Sequence, residues 1–191
     1  MKLPAEATTM KVLQLLPIGN VDDRLLTDLR PALEEILGTP SRILPIRLNP
    51  DFSFHGERQQ YHSSEILQRM QSLLTADCWR MLGVAAVDLY IPILTFVFGE
   101  AQVGGSCAVL STHRLRQEFY GLPSNHELFR QRLLKEAVHE VGHTLSLTHC
   151  DDYSCVMASS HAVEWIDLKG SALCGACRGA VASATQIPSA R

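Results

Sequence analysis

His139-Glu140-Val141-Gly142-His143, followed six residues later by His149, is the stretch that decides how this chain folds around a site. Histidines four residues apart on a helix lie one turn apart on the same face, close enough to hold one metal ion. Glu140 is then placed to act on water at that ion. His149 lies about 600° beyond His143 on a continuous helix, so it reaches the same ion only if the helix ends and the chain doubles back. The competing interpretation is three solvated or core histidines on an amphipathic helix, which the third histidine disfavours.

Four cysteines follow within 28 residues and favour a second metal site of a different kind: Cys150, Cys155, Cys174 and Cys177. The last two form a Cys-x-x-Cys pair. Four thiolates suit a closed, tetrahedral, structural zinc site, whereas histidines with a water suit an open, catalytic one. Two disulfides are the alternative for these cysteines.

The redox compartment decides between these two interpretations of the cysteines. The N-terminal residues are not expected to act as a signal peptide, because the apolar run there is short and interrupted. The longest apolar stretch, residues 84–98, contains Asp88 and Pro92 and makes a poor membrane span. We therefore expect a cytoplasmic protein that does not enter a membrane, and reduced thiols favour metal over disulfides.

Composition indicates one ordinary domain of 191 residues, 46% hydrophobic, which is enough for a core. The formal net charge of −3 provides no field that would attract nucleic acid. A nucleic-acid or protein adaptor built on the cysteines is disfavoured because few basic residues, Lys169 and Arg178, flank them. Arg114, Arg116 and Lys135 are interpreted as a solvated face. We expect a monomer.

The pattern along the chain predicts an α/β fold in the order β-α-β-α-β-β-β-α. The opening β-α-β favours a parallel pair with a right-handed crossover. Residues 49–63 are expected to form a polar loop. The predicted strands are 11–18, 42–48, 83–90, 95–99 and 106–111, and the predicted helices are 23–37, 63–74 and 125–145.

The sequence resembles the archaemetzincins, a branch of the metzincin zinc peptidases. The resemblance is carried by His139-Glu140-x-x-His143-x-x-Ser146-x-x-His149-Cys150, then Cys155, Met157 and Cys174-x-x-Cys177, and it is supported by Asp88-Leu89-Tyr90, Phe96-Val97-Phe98-Gly99-Glu100-Ala101 and Lys135-Glu136-Ala137-Val138. It covers most of the chain, from Lys11 to Cys177. It implies a metzincin-like single domain, 1–191, with a twisted mixed sheet and helices in an upper part, 1–149, and a small irregular zinc-bound lower part, 150–191.

The resemblance also implies roles for individual residues. It assigns a catalytic zinc to His139, His143 and His149, the general base to Glu140, and a structural zinc to Cys150, Cys155, Cys174 and Cys177, giving two Zn²⁺ per chain. Met157 would lie beneath the catalytic metal, or it is a plain core methionine. Ser146 departs from the family, because metzincins usually have glycine where the chain leaves the helix. A left-handed backbone there costs a non-glycine residue about 1–2 kcal/mol, so the turn is either strained or of another geometry.

The expected function is hydrolysis of peptide bonds in a peptide or protein substrate. Three neutral imidazoles leave zinc an open position at which water has its pKa lowered to about 7, and Glu140 takes the proton. Residues 95–101 are the candidate strand beside the cleft, where a substrate backbone would pair, or they are an ordinary buried strand. The alternative function is a zinc-stabilised peptide-binding module that cleaves weakly or not at all.

Overall fold

The computed structural model describes residues 11–185, with side chains described through residue 182. That part contains eight strands and five α-helices. Their bounds are β1 Val12–Ile18, α1 Asp23–Leu37, β2 Ser41–Ile43, β3 Phe54–His55, β4 Gln60–His62, α2 Ser63–Gln71, β5 Cys78–Ala85, β6 Leu89–Tyr90, β7 Gly99–Ala101, β8 Cys107–Ser111, α3 His126–Thr144, α4 Val163–Leu168 and α5 Gly175–Thr185.

A five-stranded sheet in the order β2-β1-β5-β8-β7 forms the centre of the fold. Its strands are parallel except for β7, which pairs antiparallel with β8 and forms one edge. Leu13 and Leu15 of β1 face a core shared with α1 and α3, whereas Leu16 and Ile18 face a second core shared with α2. Because both faces of the sheet are covered, β1 is a nearly continuous apolar run rather than an alternating one.

The helix that carries the first two histidines is α3. Its N-terminus is capped by Asn125, whose Oδ1 accepts a hydrogen bond from the amide of Leu128 at 3.0 Å. Apolar residues such as Leu133 and Ala137 pack into the larger core, and they hold the helix against the sheet. Most residues of the last two turns are also buried, so at the C-terminal end of α3 His139 is buried and His143 is half-buried.

Several elements differ from the sequence-based predictions. Residues 95–98 do not form a regular strand, and the edge strand begins only at Gly99. The second strand stops at Ile43, because Pro45 has no amide to donate to the sheet. The predicted polar loop 49–63 contains β3 and β4, which form a small three-stranded sheet with β6.

The part of the chain after His149 contains two helices that the sequence analysis did not predict, α4 and α5. Side chains from this region, including Val156, Met157 and Ile166, join the larger core beside α3. The predicted upper part, 1–149, and lower part, 150–191, include residues 1–10 and 186–191, which lie outside the described residues. None of the helices in residues 11–185 has the length and apolar character needed to cross a membrane.

Candidate metal and active site

The three histidines of the opening motif come together in the fold. Nε2 of His139 and Nε2 of His143 lie 3.1 Å apart. One ring nitrogen from each of these residues and from His149 falls within 4.8 Å of the others. A tetrahedral zinc ion with Zn–N bonds of about 2.0–2.1 Å separates two ligand nitrogens by about 3.3 Å. The three rings therefore fit a single ion, as the motif predicts.

Hydrogen bonds from the other ring nitrogens orient two of these histidines. Nδ1 of His139 donates to the carbonyl of Val156 at 2.9 Å, and Nδ1 of His143 donates to the carbonyl of Leu147 at 2.8 Å. With Nδ1 protonated, the Nε2 lone pair is free to bind a metal. Burial lowers the pKa of His139, His143 and His149, which favours the neutral imidazole that a metal requires.

The chain leaves α3 through a left-handed turn at Ser146, whose φ is +67°. The carbonyl of His143 accepts hydrogen bonds from the amides of Ser146 and Gly104, both at 3.0 Å. A Cβ added at Gly104 would lie only 2.9 Å from Ser146 Oγ, so the serine fits because its neighbour is glycine. Of the two geometries that the sequence allowed, the strained left-handed turn is the observed one, and it brings His149 back to the other histidines.

Glu140 is buried beside the histidines, with 4% of its surface exposed. It lines a cavity of about 450 Å³ together with all three histidines and Gly99 of the edge strand. A Cβ at Gly99 would lie 2.5 Å from Glu140 Oε1, so the close approach of strand and carboxylate requires glycine. Burial raises the pKa of Glu140 well above its ordinary value, and the neighbouring Glu136 adds to this effect.

Met157 lies under the same helix. Its side chain is fully buried, and a Cβ added at Gly142 would lie 2.5 Å from its sulfur. The carbonyl of Met157 accepts a hydrogen bond from the amide of Cys150 at 3.0 Å, next to His149. Met157 therefore packs against α3 at Gly142, next to His143, and its carbonyl is hydrogen-bonded to the segment that carries His149.

The four cysteines of the C-terminal region form a second cluster. The Cys150 and Cys174 sulfurs lie 3.9 Å apart and the Cys155 and Cys177 sulfurs 3.8 Å apart, and none of the four forms a disulfide. Tetrahedral Zn–S bonds of about 2.3 Å separate two sulfurs by about 3.8 Å. The amide of Cys177 donates to the sulfur of Cys174 and lowers the pKa of Cys174 to about 7. Burial raises the pKa of Cys177, so the pKa values of the four thiols do not shift together. The spacing of the sulfurs is what fits a tetrahedral metal ion.

A buried ion pair next to His139 was not among the sequence-based predictions. Lys169 Nζ lies 2.9 Å from Glu136 Oε1, with 1% and 3% of the two side chains exposed. The same Nζ lies 3.4 Å from Nδ1 of His139. Glu136 precedes Glu140 by one helical turn and lines the cavity, so its spacing was a signal. Lys169 carried no local signal.

The basic residues that the sequence analysis placed on a solvated face pack differently. Lys135 Nζ donates to the carbonyls of Ile166 and Asp167 at the end of α4, at 2.9 and 3.0 Å. Arg114 Nε and Nη2 each lie 2.7 Å from the carboxylate of Asp88, an ion pair in which both side chains are largely covered. That interpretation is therefore wrong for Lys135 and Arg114, because backbone carbonyls and a carboxylate from distant segments satisfy their charges.

Comparison with known proteins identifies the family to which this site belongs. The profile of Peptidase family M54 matches residues 20–182. This chain belongs to peptidase family M54. The archaemetzincin of Methanocaldococcus jannaschii is 40% identical over 161 residues, which cover 84% of this chain and 87% of that relative.

Solved structures agree with this membership. An archaemetzincin from Methanopyrus kandleri superposes with a TM-score of 0.79 at 28% identity and covers 97% of this chain and 100% of its own. A zinc-dependent peptidase from Methanocorpusculum labreanum superposes with a TM-score of 0.81 at 28% identity, covering 88% of this chain and 99% of its own. The family and the α/β fold predicted from the sequence are confirmed, and the chain is a zinc metallopeptidase.

Proposed function

We propose that this peptidase of family M54 holds a catalytic zinc on His139, His143 and His149 and uses Glu140 as its general base. The observation that supports this most directly is the shared cavity, which Glu140 lines together with all three histidines. The His139 and His143 rings are already oriented by carbonyls that take their Nδ1 protons. We also propose that the chain is divided, as in metzincins, into an upper part and a zinc-bound lower part.

The chemistry that we propose assigns a proton-transfer role to Glu140. When bound, zinc supplies the Lewis acidity that polarises a peptide carbonyl and makes water acidic enough to lose a proton near neutral pH. Glu140 would accept that proton as the water oxygen adds to the peptide carbonyl carbon, and it would then donate the proton to the amine nitrogen that leaves as the C–N bond breaks. Its burial against Gly99 keeps competing solvent away from the carboxylate and holds it on the side of the cavity that faces the edge strand.

We propose that the substrate backbone lies along β7. This strand pairs with β8 on one side and forms an edge of the sheet on the other, so its outer backbone groups are available to an extended peptide. Gly99, the first residue of the strand, contacts Glu140. A peptide paired with this edge would therefore pass close to the proposed base.

We propose that the four cysteines hold a second, structural zinc. Cys150 directly follows His149, so the cysteine cluster fixes the chain immediately after the third histidine. Thiolate ligands without an open position stabilise a fold and supply no site for water. The cluster would thus hold in place a segment whose own helices, α4 and α5, are short.

The test is metal-dependent cleavage of a peptide library. Zinc-loaded protein should contain two zinc ions per chain, and a mild chelator should remove the one at the histidines first, abolish cleavage and leave the fold intact. Adding zinc back should restore cleavage. If the protein with both ions bound cleaves nothing while still binding library peptides, it is the weak or inactive binding module instead. A single ion held by mixed histidine and cysteine ligands would contradict the two-site assignment.

A further inference from the structure

One wall of the cavity is formed by an irregular segment, residues 91–98, that leads into β7. Ile91, Leu94 and Thr95 line the cavity, and Ile93 and Leu94 are 87% and 48% exposed. Few backbone hydrogen bonds hold this segment: the amide of Leu94 donates to Ile91 within it, the amide of Val97 donates to Leu89, and the carbonyl of Phe98 at its end accepts from Ser111. Backbone pairing alone therefore leaves the 92–95 turn without support from the sheet.

Two side chains from the hairpin between β3 and β4 supply that support. Arg58 Nη2 donates to the carbonyl of Leu94 at 2.6 Å and to the carbonyl of Thr95 at 3.1 Å. Gln60 Nε2 donates to the same Thr95 carbonyl at 2.9 Å. Arg58 Nε also donates to Gln60 Oε1 at 3.1 Å, so the two side chains act as one unit. A charged donor makes these bonds stronger than those between neutral groups.

Further contacts anchor this unit to the body of the fold. Gln60 Nε2 also donates to Asp88 Oδ2 at 2.9 Å, and Arg114 binds both oxygens of the same carboxylate at 2.7 Å. The Arg58 guanidinium lies 4.3 Å from the centroid of the Tyr90 ring, and the Arg114 guanidinium lies 4.1 Å from the centroid of the Phe96 ring. The cavity segment is thus held on both sides of Thr95.

The hairpin that presents Arg58 and Gln60 is itself strained. Gln59, between them, has a φ of +54°, one of two positive φ values among the non-glycine residues in 11–185. The other is Ser146, at the exit from α3. Strained residues persist only where the surrounding structure holds them, and they concentrate near functional sites. This one lies between the two side chains that reach the cavity wall.

We propose that Arg58 and Gln60 are positioning residues for substrate. They fix the Leu94 and Thr95 carbonyls, and this holds the exposed Ile93–Leu94 pair at the mouth of the cleft, where it meets the side chains of a peptide. The expected change in KM rests on the proposed peptidase function. The 92–95 turn is exposed and its side chains do not belong to either core, so loosening it should weaken substrate binding more than it lowers stability or the chemical step.

The experiment compares Arg58→Met with Arg69→Met. Arg69 lies on α2 with its guanidinium 5.5 Å from the Phe52 ring, so it is an exposed arginine on an aromatic ring and does not line this cavity. Arg58→Met should raise amide hydrogen exchange in residues 91–98 and raise KM by about fivefold, with kcat within about twofold of native, as expected for lost hydrogen bonds. Arg58→Lys retains the charge and should recover part of the KM. Arg69→Met should match the native protein in each measurement.

A binding measurement separates this proposal from the proposed function. Two peptide hydroxamates are used, one with a dipeptide N-terminal to the hydroxamate and one with a dipeptide C-terminal to it, and acetohydroxamate is the reference. Arg58→Met should weaken at least one peptide hydroxamate and leave acetohydroxamate unchanged. If the native protein cleaves no peptide, the proposed function fails, but exchange and hydroxamate affinity still decide this inference. The inference is overturned if Arg58→Met leaves amide hydrogen exchange in residues 91–98 unchanged. It is also overturned if exchange increases there while KM and both hydroxamate affinities remain native.

Discussion

Replacing Lys169 with methionine should destabilise the fold strongly, although the residue lies outside the histidine motif. The Lys169 ammonium is the positive partner of Glu136, and both side chains are almost completely buried. Glu136 Oε1 has no aligned hydrogen bond among the described residues, so the pair is held by charge at 2.9 Å. Lys169→Met fills similar space and leaves a buried carboxylate without a counter-charge.

The expected cost follows from that burial. Removing one partner of a buried ion pair costs about 3–5 kcal/mol, because the remaining charge is left uncompensated. For a domain of this size, each kcal/mol lowers the melting temperature by about 2–4 °C, so the midpoint should fall by about 6–20 °C. The double variant Glu136→Leu/Lys169→Met should recover most of this loss, since an apolar pair of similar volume is often as stable as the ion pair.

The assay is urea denaturation of native, single and double variants with zinc content matched. Lys11→Met is the control, because Lys11 is exposed and, within residues 11–185, its ammonium donates a hydrogen bond to the carbonyl of Ala76, so its loss should change the free energy of unfolding by less than about 0.5 kcal/mol. If Lys169→Met lowers the free energy of unfolding by less than about 1 kcal/mol, the buried ion pair does not stabilise the fold strongly. A double variant as unstable as the single variant would show that the cost came from lost packing rather than from the stranded charge.

Three other changes test separate parts of the site. Gly99→Ala should displace the Glu140 carboxylate and lower kcat by at least about tenfold with native zinc content, because its Cβ would lie 2.5 Å from Glu140 Oε1; native kcat would contradict the close approach. Cys174→Ser should lose one zinc and increase hydrogen exchange after His149, since structural zinc contributes on the order of 10 kcal/mol of binding energy coupled to folding; native zinc content and stability would rule out a metal site. Ser146→Gly should leave kcat/KM equal or higher and the free energy of unfolding within about 1 kcal/mol of native, because glycine adopts the left-handed turn without strain; a large loss of activity would show that the serine has a role of its own.

The parts of the fold that the sequence predicts are those encoded by local pattern. Asn125 followed by the two histidines four residues apart predicts α3 and the face it presents, and the structure agrees. The predicted strand 11–18 and helix 23–37 match β1 and α1. The structure shows that Asp22 caps the start of α1 and that Gly38 follows its end. The gathering of His149 with the other histidines was likewise predictable, because its offset requires the chain to turn back.

Contacts between distant segments account for what the sequence did not predict. Residues 95–98 are β-branched and aromatic, which predicts a strand. Gln60 and Arg58, 35 and 37 residues earlier, donate hydrogen bonds to the carbonyl of Thr95, and the segment is irregular. Lys169 lies far from Glu136 in sequence, so no spacing marks their pairing. Helix α5 is rich in alanine and glycine, and it lacks the large apolar side chains whose periodicity would have indicated a helix.

The most direct test of the proposed mechanism is the turnover number of Glu140→Gln at native zinc content. The substitution keeps the size of the buried side chain and removes its ability to accept a proton, while the three histidines remain. If Glu140 is the general base, kcat for a cleaved peptide should fall by about 10²–10⁴-fold with two zinc ions still bound. A Glu140→Gln protein that retains both zinc ions and turns over peptide at the native rate would contradict the account.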